Sequence, residues 1–279
     1  MNKQYNLVIY HYGCIDGFCS AYIAHKILGD NCLYVPLSYY SKVPKYKNKN
    51  ILVVDFSFDL KIVKRLMKDG NKIYFIDHHL TALEKLADLD DKFKLLDINH
   101  SAAYLVWKFF FPDKKVPKFV KYIQDYDLWK FKYEETKYLN LALDLIPKSF
   151  NRWKKLEDKE YLKNLINKGK IINIYQNNIV KIALHKFRIE EQEIDGENYK
   201  IAYVNTNICV NEIANEIVKT KECDFAVCYN YYDLKNITKF NLRSLDTKAD
   251  VSEIAKKLGG GGHRNSSGLT RKGFHNTII

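Results

Sequence analysis

The apolar positions of this chain follow two rhythms. Short runs rich in β-branched and aromatic residues, YNLVIY (5–10), CLYVPLSY (32–39), NILVVDF (50–56) and KIYFID (72–77), predict strands. Between them, GFCSAYIAHKIL (17–28) and FDLKIVKRLMKD (58–69) repeat apolar residues at helical spacing. The order β, α, β, β, α, β predicts an α/β fold built on a doubly wound, mainly parallel sheet, with ligands bound outside the carboxyl ends of its strands. Residues 101–145 read as mostly helical and cap that sheet, and a polar helical pattern at 158–184, broken only by Gly169, predicts a connector. Beyond it, 199–206, 224–232 and 237–244 read as strands around a helix at 210–219, and a helix at 249–258 ends in GGGGH before a further SSGLT strand. The expected organisation is therefore a domain at 1–150, a helical connector at 151–190 and a smaller α/β domain at 191–279.

Length agrees with two domains, since 279 residues exceed the roughly 250 that one core usually serves. Forty-five Lys and Arg against 33 Asp and Glu give a net charge of +12, which favours anionic partners such as nucleotides, though the scattered lysines equally suit a solvated surface. The start has too short an apolar stretch for a signal peptide, and no window approaches the ~18 apolar residues of a membrane span. A soluble, cytoplasmic protein that makes no membrane contact is expected. The six cysteines contain no Cys-x-x-Cys pair, which disfavours a zinc ribbon and a disulfide framework and agrees with reduced thiols.

Polar residues interrupt the apolar pattern where the fold class binds ligands. His11 follows the first strand and a turn containing Gly13 delivers Asp16 just before the first helix, Asp55 lies near the end of the third strand, and Asp77, His78 and His79 follow the fourth. A lone His or Asp at such a place is usually a turn or cap residue, but three separate strand ends carry one. An ionised Asp55 on so apolar a strand must be paired, hydrogen-bonded or metal-bound. Carboxylates with a few imidazoles and no cysteine cluster suit Mn²⁺, with Fe²⁺, Co²⁺ or Mg²⁺ as alternatives and structural Zn²⁺ a poorer match. Two such ions can clamp the attacking and leaving oxygens of a displacement at phosphorus. YIQDYDLWKF (122–131) adds Asp125 and Asp127, which two apart on a helix face different directions, so one of them is expected at the site. In LGGGGHRNSSG (258–268), the glycines 259 to 262 remove side chains where the backbone can approach an anion, and His263 and Arg264 add charge. Arg243 and Ser244, ending the preceding strand, are candidates for the same phosphate.

Taken together and in this order, HYGCIDG, VVDFS, IDHH, YDLW, LRS and DVSEIAKKLGGGGHRNSSG resemble the DHH phosphoesterases with a C-terminal DHH-associated domain, over residues 5 to about 274. The resemblance implies a first domain that holds two Mn²⁺ ions and a second that binds nucleotide or phosphate. It implies that His11, Asp16, Asp55, His78 and one of Asp125 or Asp127 are metal ligands, with Asp16 and Asp55 as bridges. It places His79 near the scissile phosphate as donor to the leaving oxygen or as a phosphate contact, with Asp77 orienting its neighbours. It gives Arg243, Ser244, Gly260, Gly261, Gly262, His263 and Arg264 to substrate binding. Where many members carry Asp-x-Asp-Gly, this chain has Cys14-Ile15-Asp16-Gly17. A branch with Cys here exists, so Cys14 is either a further ligand that favours a softer ion or a small residue packed beside the site.

The function this implies is metal-dependent hydrolysis of short oligonucleotides to nucleoside monophosphates by a monomer or homodimer. Cyclic nucleotides or cyclic dinucleotides are an alternative substrate, and pyrophosphate or polyphosphate a third. A nucleotide sensor without turnover is the reading from a different class; loss of metal ligands would mark it, and apart from Cys14 the set is intact.

Overall fold

The computed structural model describes residues 5–38 and 41–279, so the predicted strand at 32–39 ends, at Tyr39, outside the described residues. The chain divides into two compact units, 1–173 and 174–279, and the boundary falls inside one long helix.

The first unit runs β1 (Leu7–His11), α1 (Ile15–Leu28), β2 (Leu33–Leu37), β3 (Asn50–Val54), α2 (Leu60–Lys68), β4 (Lys72–Asp77), α3 (Leu80–Lys85), β5 (Lys94–Leu96), α4 (Ala102–Phe110), α5 (Lys118–Asp127), α6 (Glu134–Leu143) and α7 (Phe150–Trp153), and enters α8 (Lys159–Ala183). Its five strands are all parallel, in the order β2-β1-β3-β4-β5. The order reverses between β1 and β3, so a crevice opens at the carboxyl ends of those two strands.

Period-two alternation explains why the strands read as near-continuous apolar runs. Val8, Leu52, Val54 and Ile76 face a core shared with Phe18, Tyr22 and Ile23 of α1, Val106 of α4 and Phe119 of α5. Their neighbours Leu7, Ile9, Ile51, Val53 and Phe75 face a second core with Val63 and Leu66 of α2. With helices on both faces, each large aliphatic on β1, β3 and β4 is buried and contributes roughly 1.5–3 kcal/mol. β3 stops at Val54, short of the predicted Phe56, because Asp55 turns to a φ of 54°.

The second unit holds β6 (Arg188–Ile194), β7 (Glu197–Asn205), α9 (Val210–Thr220), β8 (Phe225–Tyr232), β9 (Ile237–Arg243), α10 (Val251–Lys257), β10 (Gly261–His263) and β11 (Ser266–Lys272). The strands form one mixed sheet, β10-β11-β9-β8-β7-β6, in which β7 and β8 alone pair in parallel. One core, with Ile201, Tyr203, Phe225 and Leu242, takes Val251 and Ile254 of α10; the other, with Ala202, Val204 and Ala226, takes Ile213 and Ile217 of α9. Among the described residues, no helix is long and apolar enough to cross a membrane.

Candidate metal centre

Three strand ends and two helix ends of the first unit converge. His11 closes β1, Asp16 lies in the first turn of α1, Asp55 follows β3, His78 and His79 follow β4, and Asp127 ends α5. Gly17 lets α1 begin this close: a Cβ there would lie 2.7 Å from the carbonyl oxygen of His11 and 2.9 Å from Oδ2 of Asp55. The left-handed backbone of Asp55, fully buried, costs on the order of 1–3 kcal/mol and aims its carboxylate into the crevice end of the sheet.

His78 Nε2 stands 3.3 Å from Oδ1 of Asp55, 3.3 Å from Oδ2 of Asp127 and 4.0 Å from Oδ2 of Asp16. Nδ1 of His11 lies 3.6 Å from Oδ2 of Asp55. Donor atoms of His11, Cys14 and Asp55 all fall within 4.8 Å of one another, as do those of Asp16, His78 and Asp127, and those of Asp55, Asp77, His78 and His79. Among the described residues, both oxygens of Asp55, Nε2 of His78 and Oδ2 of Asp127 are buried without a hydrogen-bond partner of ordinary geometry. Buried polar atoms left this way cost about 1–3 kcal/mol each, and more when charged. Divalent cations would satisfy such atoms, so the donor set, carboxylates and imidazoles in three overlapping groups, fits metal ions.

The electrostatics point the same way. Burial, reinforced by the charges of Asp127 and Asp55, pushes the Asp16 carboxyl well above its usual range, against the pull of His78. Burial likewise raises Asp127, to about 6, although His78 opposes it. Burial would also raise Asp55, but the imidazoles of His11 and His78 at its oxygens hold it down to about 2. Desolvation works against the imidazolium of His78, yet the surrounding carboxylates lift it to about 9. Protons thus compensate crowded negative charge, a task a divalent cation does better.

Asp77 is built differently. It accepts hydrogen bonds from Ser57 Oγ at 2.5 Å, from the amides of His78 and His79 at 2.7 and 3.3 Å, and faces His79 Nδ1 at 2.7 Å. With its oxygens occupied, Asp77 holds the His79 ring in place through Nδ1. Burial lowers the basicity of His79, but the hydrogen bond to Asp77 and the charges of Asp77 and Asp55 together outweigh it and the net shift is upward.

The two aspartates of α5 separate cleanly. Asp127 turns to His78, whereas Asp125 accepts from the amides of Lys132 (2.9 Å) and Tyr133 (3.2 Å) and from Thr136 Oγ1 (2.6 Å). Asp125 is a structural anchor for the segment after α5. Cys14 caps α1 without a side-chain hydrogen bond, its thiol pushed up by burial and then by Asp55 and Asp16. Its sulfur lies within 4.8 Å of donor atoms of His11 and Asp55, and the raised pKa keeps the thiol protonated.

In the second unit the predicted residues are largely committed to their own neighbours. The Arg243 guanidinium donates to Asn211 Oδ1 at 2.6 and 3.0 Å and to the Leu242 carbonyl at 2.7 Å. Ser244 is buried. Arg264 donates to Asp250 Oδ2 at 3.0 Å and to the carbonyls of Asp246 and Lys248, behind the first turn of α10. Gly259, at φ 80°, ends α10 in the left-handed conformation that favours glycine. Gly260 and Gly262 lie against β11, where a Cβ would come within 2.3 Å of the Gly268 carbonyl oxygen and 2.5 Å of Ser267 Cα. Gly261 alone of the three faces open space, and His263 is exposed. Close approach of backbone, expected toward a ligand, is thus used at Gly260 and Gly262 to seat the edge strand.

Partners that the motifs did not single out complete both regions. Ser57, inside VVDFS, binds Asp77, and the amide of Ala103 at the start of α4 donates to both oxygens of Asp16 at 3.2 and 3.3 Å. Asn211, on α9, holds Arg243. A backbone amide 87 residues distant leaves no signature in sequence.

No family model matches the chain. Over 97% of its length it is 29% identical to protein R106 of Acanthamoeba polyphaga mimivirus, spanning 68% of that protein. Over 94% it is 22% identical to oligoribonuclease NrnB of Bacillus subtilis, spanning 72% of it. The solved structure of the pGpG-specific phosphodiesterase PggH of Vibrio cholerae shares the fold with a TM-score of 0.59 at 13% identity, covering 96% of this chain and 94% of that one. Sequence likeness, shared fold and the order of the motifs point together to a DHH-type phosphoesterase.

Proposed function

We propose that this DHH-type phosphoesterase hydrolyses the phosphodiester bonds of short oligonucleotides, releasing nucleoside monophosphates. The carrying observation is the cluster of buried donor atoms on Asp55, His78 and Asp127 that lack hydrogen-bond partners. His11, Asp16, Asp55, His78 and Asp127, with Cys14 in range, would hold two divalent ions, Mn²⁺ by the character of the donor set. When bound, such ions supply Lewis acidity and an activated water.

The protein's own groups do the rest. Ser57 and the amides of His78 and His79 fix Asp77, and Asp77 holds the His79 ring through Nδ1. The raised pKa of His79 suits it to hand a proton from Nε2 to the departing oxygen. Ala103 N steadies Asp16, and Gly17, having no Cβ, lets α1 start close against Asp55. In the second unit, Arg243 and His263 are the groups we assign to the substrate phosphate, with Asn211 presenting the guanidinium. Arg264, engaged by Asp250, serves the fold. A relative named as an oligoribonuclease and a structural neighbour named for a linear dinucleotide support this substrate class.

The test incubates purified protein with Mn²⁺ and a 5′-labelled RNA of roughly two to five nucleotides and follows the products by chromatography. Stepwise release of mononucleotides that a chelator abolishes is the expected result. An intact RNA after incubation with metal-loaded protein would reject the assignment.

A further inference from the structure

Two residues after Asp127 the chain reads Trp-Lys-Phe-Lys-Tyr (129–133), aromatic and basic side chains in strict alternation. Folding does not account for this segment. Trp129 is 65% exposed, Phe131 41% and Tyr133 42%. Trp129 and Phe131 also hold left-handed backbones, at φ 55° and 47°, which for bulky side chains cost on the order of 1–3 kcal/mol each. Residues that bury little and are strained do not stabilise the unit that carries them.

The strain is nevertheless held firmly in place. Asp125 accepts three hydrogen bonds from Lys132, Tyr133 and Thr136, and its carbonyl accepts the amide of Lys130 at 2.9 Å. The indole of Trp129 packs edge-on to Phe131 at 4.7 Å and to Tyr126 at 5.5 Å, so one aromatic platform stands in solvent two residues from Asp127. The intervening lysines do not join it. Lys130 and Lys132, with Lys121, Gln124, His100 and Tyr133, line a separate cavity of about 290 Å³. Among the described residues, Asp125 is its only carboxylate lining group, and that carboxylate is consumed by its hydrogen bonds to Lys132, Tyr133 and Thr136.

We infer that residues 129–133 form a nucleotide subsite beside the metal centre: the Trp129–Phe131 platform stacks on a base, and the lysine-lined cavity takes an adjoining phosphate. This rests on the oligonucleotide reading of the metal centre and deepens it. A platform of π-faces accepts any base, and a pocket of ammonium groups accepts any phosphate, so the subsite reads single-stranded character rather than sequence. Substrates with a second nucleotide gain from it, and inorganic polyanions use only half of it.

Wild-type protein offers a direct readout, because Trp107 and Trp153 are buried and Trp129 is the exposed indole. With a chelator present to prevent cleavage, an unlabelled trinucleotide should quench tryptophan fluorescence saturably, and inorganic phosphate should not. In Mn²⁺, Trp129→Gly and Phe131→Gly, which suit the left-handed backbone and should unfold within a few degrees of wild type, are expected to raise KM for the trinucleotide roughly tenfold or more. Lys130→Gln with Lys132→Gln should flatten the salt dependence of KM. Cleavage without quenching, and with KM unchanged in the glycine variants, overturns the subsite while leaving the oligonucleotide assignment standing. Quenching without cleavage supports the subsite and overturns the hydrolytic reading. Neither quenching nor cleavage in the wild-type protein removes both.

Discussion

Two polar regions of this protein look alike in sequence and differ in structure. The strand-end cluster around Asp55 leaves buried polar atoms without partners and holds a strained residue at its centre. The glycine-rich stretch from 259 to 264 satisfies itself: Gly259 ends a helix, Gly260 and Gly262 seat an edge strand, and Arg264 binds Asp250. The contrast teaches that unusual residue types locate a site only when their groups lack intramolecular employment. Folding alone leaves no stable reason for the first arrangement and gives a sufficient one for most of the second.

Substitutions can break the contrast, and the largest effect is expected at Asp55. Asp55→Asn, which tolerates the left-handed backbone, should lower kcat in Mn²⁺ by ~10³-fold or more, the several kcal/mol of transition-state stabilisation that bound metal supplies. The cation-free variant should stay folded but unfold somewhat below wild type, because the imidazoles of His11 and His78 hold Asp55 in its charged form and lose that partner; thermal unfolding with chelator checks this. Full activity in that variant would sink the metal mechanism.

The aspartate pair on α5 sharpens the same distinction within one helix turn. Asp127→Asn should lose activity by ~10²-fold with stability kept. Asp125→Ala should lose about 2–3 kcal/mol in urea unfolding, since two amides and a hydroxyl lose their acceptor. An activity loss in Asp125→Ala that exceeds its effect on the folded fraction would place that residue in the subsite as well.

Metal binding should release protons. At pH 7, His78, raised to about 9, carries a proton that a cation must displace. Calorimetric titration with Mn²⁺ in buffers of different ionisation enthalpy should report proton release, and the share that comes from His78 should fall as pH rises above 9 and His78 deprotonates beforehand.

Smaller effects are expected in the second unit and at Cys14. Gly262→Ala should destabilise by roughly 1–3 kcal/mol through its φ of 146° and its contact with Ser267. Gly261→Ala, facing open space, should leave stability unchanged; a rise in KM there would show that this one glycine approaches substrate. Cys14→Ser should change turnover in Mn²⁺ only a few-fold and reduce the advantage of Co²⁺ over Mn²⁺, if the sulfur ligates.

Much of the fold was legible because burial on both faces imposes long apolar strands. β4 and the helices at α1, α2 and α8 lie within a few residues of their predicted spans. β6 escaped notice: its residues RIEEQEI are half exposed along most of its length, as an edge strand allows. The Asp195-Gly196 turn that pairs it with β7, with φ of 55° and 83°, was the available sign. β5, three residues at the other sheet's edge, has too short a pattern to register.

By itself the sequence determined the parallel sheet, the positions of its carboxyl ends, and the set of carboxylates and imidazoles placed there, since strand period and chain order are local properties. Only the tertiary structure decided that Asp127 rather than Asp125 faces His78, that Cys14 comes within range of Asp55, and that Gly260 and Gly262 seat an edge strand. Each depends on a partner far along the chain: Thr136 for Asp125, Asp55 for Cys14, Ser267 for Gly262. A residue type states what a side chain can do; which neighbour reaches it first decides what it does.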